Sequence, residues 1–138
     1  MRVQMDLPPV PESAQKARDS LERFAEVVPS HKLDDARLAV SEIITNSIRH
    51  ANLSPENGRI HIHIEVESGL LSGEICDTGD GFDLPPPPTP GAFEGGWGLY
   101  LVDAVCERWG VEKGKMFCVW FEIQAASLPK SRPRLRRG

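Results

Sequence analysis

The chain has 138 residues, enough for one domain with a core and too few for two domains with separate cores. Its 40% hydrophobic and 26% charged residues fit a globular domain and exclude disordered, fibrous and collagenous classes. The net charge of −4 is unevenly spread: residues 130–138 hold five of the 16 basic groups and no acid, leaving eleven basic against 20 acidic groups in residues 1–129. An acidic body argues against a general nucleic-acid-binding surface, and the basic end, 129–138, reads as a disordered, solvated tail. With no apolar run of about 18 residues and no apolar middle of a secretory signal, no membrane partner is expected and the chain reads as cytoplasmic. Cys76, Cys106 and Cys118 form no CxxC and stand far apart, so they read as buried free thiols rather than a disulfide framework or a zinc ribbon.

Along the chain, the prolines between Asp6 and Pro11 predict an extended entry. Ala14, Ala17, Leu21, Phe24, Ala25 and Val28 then recur at helical spacing and predict a helix over 12–28. Leu33, Ala36, Ala39, Val40, Ile43, Ser47, Ile48 and Ala51 mark a second amphipathic helix over 33–51. From Ile60 the period changes to two, with Ile60, Ile62, Ile64 and Val66 alternating with His61, His63, Glu65 and Glu67, as in a strand with one buried face. Ser68 and Gly69 read as a hairpin turn, and a second strand runs from Leu70 to Cys76. The glycines after Asp77 end it. Residues 82–95, rich in proline, form a long loop of the kind that often serves as a lid. Leu99, Val102, Ala104, Val105 and Cys106 predict a third helix, with Arg108 near its C-terminal end, and strands follow over 109–111 and 116–123. The expected fold class is α+β: a two-layer sandwich whose mixed, mostly antiparallel sheet has helices on one face.

Three segments carry chemistry. Glu42, Asn46 and His50 lie at i, i+4 and i+8 of the second helix, a stripe that drifts by only about 40° per step. Asp77, Gly79 and Gly81 follow a strand directly, so a carboxylate stands at a strand end while the glycines let backbone approach a ligand. Gly96, Gly98 and Leu99 open a helix whose free N–H groups suit phosphate oxygens. Each signal alone is common in proteins without such a site.

In this order and spacing, the three segments resemble the N, G1 and G2 boxes of the GHKL ATPases, which have the Bergerat-type, histidine-kinase-like ATPase fold. Within that superfamily the stretches 38–51, 98–102 and 118–122 look like those of the anti-sigma factor serine kinases, over roughly residues 8–125. The resemblance implies a single ATP-binding domain over 1–128 with its lid at about 82–97. It implies Asn46 as ligand to Mg²⁺, Glu42 as catalytic base and Asp77 as acceptor for the adenine amino group. His50, Gly79, Gly81, Gly96, Gly98 and Leu99 complete the implied nucleotide site. The cofactors are then ATP and Mg²⁺. The implied reaction is phosphorylation of a serine or threonine on an anti-sigma factor antagonist of the STAS type, and the implied partners include a sigma factor and a second copy of the chain.

The match has departures. Cys118 takes the place near the adenine where relatives commonly carry threonine, and Trp97 stands between the G2 glycines where arginine is frequent. Arg18 falls near a position that faces the sigma factor in relatives, with an ordinary exposed arginine as the other reading. His61 and His63 share a strand face, but no third metal ligand is evident in the sequence. Two further readings stay open: a non-catalytic module that uses ATP to order its lid while holding a partner, and an ATPase that passes phosphate to water.

Overall fold

A computed structural model describes residues 1–50, 56, 58–78 and 97–125, with the side chains of His50 and Trp97 excepted. The order of elements is β1 (Arg2–Leu7), α1 (Pro11–Ser20), a 3₁₀ turn (Leu21–Phe24), α2 (Ser30–His50), β2 (Ile60–Glu67), β3 (Leu70–Asp77), α3 (Trp97–Val105), β4 (Arg108–Lys113) and β5 (Phe117–Gln124). The strands form one sheet in the order β1-β2-β3-β5-β4, and every described pairing is antiparallel. The α+β sandwich expected from the sequence is therefore present, with an antiparallel rather than mixed sheet.

β1 lies mostly ahead of the extended entry expected over Asp6–Pro11 and overlaps it only at Asp6 and Leu7. Its apolar Val3, Met5 and Leu7 alternate with Arg2, Gln4 and Asp6, and it pairs with β2 from Arg2↔Glu65 to Leu7↔Ile60. The first helix is shorter than expected. The Ser20 hydroxyl donates to the Ala17 carbonyl at 2.7 Å, and the Leu21 N–H turns to the Arg18 carbonyl, so the chain tightens into a 3₁₀ turn. Leu21 and Phe24 still point inward and are fully buried. Ser68 and Gly69 both have positive φ, 53° and 79°, as a two-residue turn matched to strand twist requires. Arg108 opens β4 rather than closing α3.

Register assigns the two faces of the sheet. Ile60, Ile62, Ile64, Leu71, Ile75, Val119, Phe121 and Ile123 are buried beneath the helices. They meet Leu33, Ala36, Ala39, Val40, Ile43 and Ile44 of α2 and Val102 of α3. α2 packs on β3 and β5 and along α3, so it lies over the centre of the sheet. The opposite face carries His61, His63, Glu74, Cys76, Cys118, Trp120 and Glu122 and is partly exposed.

Candidate functional site

The layer between α2 and the sheet is apolar with few interruptions. Among the described residues the buried polar side chains are Ser13, Asn46, Ser47 and Asp77. Ser13 lies at the start of α1, where its hydroxyl bonds the Pro8 carbonyl. The other three sit on α2 and at the end of β3.

Asn46 continues the buried face of α2, following Ala39 and Ile43 at the 3.6-residue period where an apolar side chain would be the cheaper choice. It is 6% exposed, and its Nδ2 has no hydrogen-bond partner among the described residues. Burying an amide without a partner costs about 1–3 kcal/mol, which is an arrangement suited to a ligand that supplies the partner. Turning the amide about its last bond presents oxygen instead of nitrogen, so the residue can serve a cation equally well. Glu42, one turn earlier, is half-buried, at the margin of the same face. Leu99 is buried in the first turns of α3, and Gly98 lies beside it in that helix.

Asp77 is fully buried. The β3 register places it on the same face as Ile75, so its carboxylate belongs to the helix-covered side of the sheet. Its cross-strand neighbours are Ile60 on β2 and Phe117 on β5. Here the structure corrects the sequence reading. Cys118 does not stand beside Asp77: it lies on the opposite face, where its Sγ is bonded to that of Cys76 directly across the ladder. Phe117 holds the position expected of Cys118, so the β5 side chain next to Asp77 has no polar group. Two of the three presumed free thiols are thus a cystine, because β5 pairs with β3 and skips over β4 in sequence. Cys106 remains free.

The structure brings Asn46, Asp77 and Leu99 into the interior, with Glu42 at its margin. The His50 side chain, Gly79, Gly81 and Gly96 lie outside the described residues, as do the lid at 82–96 and the tail at 129–138; Trp97 is the first residue of α3. Arg18 is engaged within the chain, its guanidinium donating to Ser41 on α2 at 2.7 Å and to Gln15.

The sequence profile of the histidine kinase-like ATPase domain matches residues 7–121, from the end of β1 through most of β5. The chain belongs to the histidine kinase-like ATPase family. Within it the chain groups with the anti-sigma factor serine kinases. It is 31% identical to the serine-protein kinase RsbW of Oceanobacillus iheyensis, in a match covering 76% of this chain and 75% of that one. The corresponding figures for RsbW of Listeria innocua are 29%, 77% and 76%. Among solved structures, the RsbU and RsbW domains of Rv1364c from Mycobacterium tuberculosis superpose with a TM-score of 0.71 at 17% identity, over all of this chain and 35% of that one. The histidine kinase domain of the Erythrobacter litoralis EL346 blue-light activated kinase gives a TM-score of 0.57 at 21% identity, covering 86% of this chain. These structural likenesses concern the fold. The ATPase family assignment implies ATP as the nucleotide. Among the described residues no helix is long and apolar enough to cross a membrane.

Proposed function

We propose that this kinase binds Mg-ATP between α2, the end of β3 and the start of α3, and transfers the γ-phosphate to a serine or threonine of a STAS-type anti-sigma factor antagonist. Through the same domain it holds a sigma factor, as a homodimer in the cytoplasm. The observation that carries this reading is the pair of buried polar residues, Asn46 and Asp77, in an otherwise apolar layer. The resemblance to the N and G1 boxes supports reading Asn46 as the metal ligand and Asp77 as the adenine acceptor.

Asp77 accepts a hydrogen bond from the adenine amino group; guanine presents an oxygen there and leaves the carboxylate facing an acceptor, so ATP is chosen over GTP. The amide of Asn46 fits a hard cation that keeps most of its waters, and it is the residue that would hold Mg²⁺. When bound, the ion neutralises charge on the phosphates. Glu42 accepts the proton of the incoming hydroxyl. His50, Gly79, Gly81, Gly96 and Gly98 contribute backbone approach and phosphate contacts, and Leu99 seats the start of α3 against the core.

Phosphate incorporation from labelled ATP into a STAS-type antagonist tests the proposal. Transfer to a serine or threonine of the antagonist is expected. Tight antagonist binding with the nucleotide bound and no transfer would establish the non-catalytic module instead.

A further inference from the structure

The solvent-side face of the sheet carries a second cluster that the nucleotide site does not use. A depression of about 470 Å³ opens there, lined in part by Asp6, His61, Glu74 and Cys76. The two histidines are already engaged: His61 pairs with Asp6, and His63 with Glu65 at 2.8 Å and with Gln4 at 3.1 Å. The converging donors are others. Glu74 and Cys76 project from β3 two residues apart, hence on one face, and Cys118 stands directly opposite Cys76 on β5. One donor atom from each of the three lies within 4.8 Å of the other two.

We propose that, once the Cys76–Cys118 bond is reduced, these three residues form a zinc site, with water in the fourth position. Two thiolates and a carboxylate are a donor set that favours Zn²⁺ over the hard cations of phosphate chemistry. Zn–S bonds of about 2.3 Å and Zn–O bonds of about 2.1 Å set tetrahedral donors roughly 3.3–3.8 Å apart. After reduction the two sulfurs have to move apart to that spacing, which side-chain rotation on the paired strands allows, while the Glu74 carboxylate already lies within 4.8 Å of both. Glu74 is exposed and Cys118 half-buried, so the ion has a path in from solvent.

The oxidised and metal-loaded forms exclude each other. A dithiol reductant delivers two electrons and two protons to the Sγ–Sγ bond, giving two thiols and the oxidised, cyclic reductant. Zn²⁺ then displaces the two thiol protons. In the reverse direction a disulfide oxidant accepts the two electrons from the thiolates, takes up two protons from water as it becomes a dithiol, and leaves the cystine restored and the ion released.

The test uses the full chain reduced with dithiothreitol, freed of it by gel filtration under argon, and titrated with Co²⁺ and then Zn²⁺. One equivalent of Co²⁺ should bind with a thiolate-to-cobalt charge-transfer band that Zn²⁺ abolishes, and the oxidised protein should show none. Cys76→Ser and Cys118→Ser should each remove the band, and Cys106→Ser should keep it. Glu74→Gln should weaken Zn²⁺ binding about tenfold or more, since even outer-shell partners of metals are worth about that much. Because Glu74 is exposed, that variant keeps the fold and stands independently of the cysteine changes. A reduced wild type without the band, a band that survives Cys76→Ser, or unchanged affinity in Glu74→Gln overturns the site.

Discussion

Asp77 and Phe117 face each other across the β3–β5 ladder on the side that α2 covers, while their neighbours Cys76 and Cys118 are bonded on the other side. The proposed adenine acceptor therefore has an aromatic residue, not one with a hydroxyl or thiol, as its β5 neighbour. Recognition from this strand pair then depends on the carboxylate. Asp77→Asn should weaken ATP binding by about 1–3 kcal/mol, the worth of one hydrogen bond to a charged group, and should narrow the gap between ATP and GTP. Calorimetry measures both; a wild type that binds ATP and GTP equally would refute the adenine assignment.

How much of this was readable in the sequence depends on whether the signal was local. The alternation from Ile60 to Glu67 and the spacing from Leu33 to Ile48 record which face each element buries, and α2, β2, β3, α3 and β5 follow them within a few residues. β1 has the same alternation in Val3, Met5 and Leu7, but the extended entry expected from the prolines covers only Asp6 to Pro11 and so meets this strand at its last two residues. The cystine and the Asp77–Phe117 pair were out of reach, because both depend on β5 inserting between β3 and β4. Periodicity shows which residues face inward and is silent on which strands are neighbours. Asn46 was legible as a motif, yet its burial came only with the packing of α2 on the sheet.

Gly73 gives a stability prediction. It faces Phe121 across the ladder, and a Cβ on it would overlap the ring of that fully buried residue. A large ring fills the space that glycine leaves, so Gly73→Ala should cost about 1–3 kcal/mol, the usual penalty of overpacking. Urea denaturation reads this directly. A neutral Gly73→Ala would mean that the ring turns aside freely.

Cys106 gives a prediction in pH. Burial, reinforced by Glu107, Asp35 and Asp103, raises its thiol from 9.0 to about 12. The folded protein thus holds the proton more tightly than the unfolded chain. The resulting stabilisation is complete below about pH 9 and is lost as pH rises toward about 12. The stability of the wild type relative to Cys106→Ser should stay constant up to about pH 9 and fall above it, and alkylation of the folded thiol near pH 8 should be much slower than that of the unfolded chain. Parallel pH slopes for the two proteins would contradict this.

Glu42 and Asn46 stand one helical turn apart, one half-buried and the other buried, and the proposed mechanism gives them separable tasks. A base acts on the incoming hydroxyl and contributes little to holding the nucleotide. Glu42→Ala should leave Mg-ATP affinity nearly unchanged while slowing phosphoryl transfer to the antagonist by about 10²–10⁴-fold, the range that general-base catalysis supplies. In that mechanism the amide of Asn46 would hold the ion and through it orient the phosphates, so Asn46→Ala should lower affinity and transfer together, with partial recovery at raised Mg²⁺. Hydrolysis by water is a poor substitute readout, since transfer of this kind depends on positioning and the acceptor hydroxyl has to be in place. Calorimetry and labelled-phosphate transfer on the same preparations separate the two roles. Loss of ATP affinity in Glu42→Ala, or full transfer in it, would remove Glu42 from the role of base.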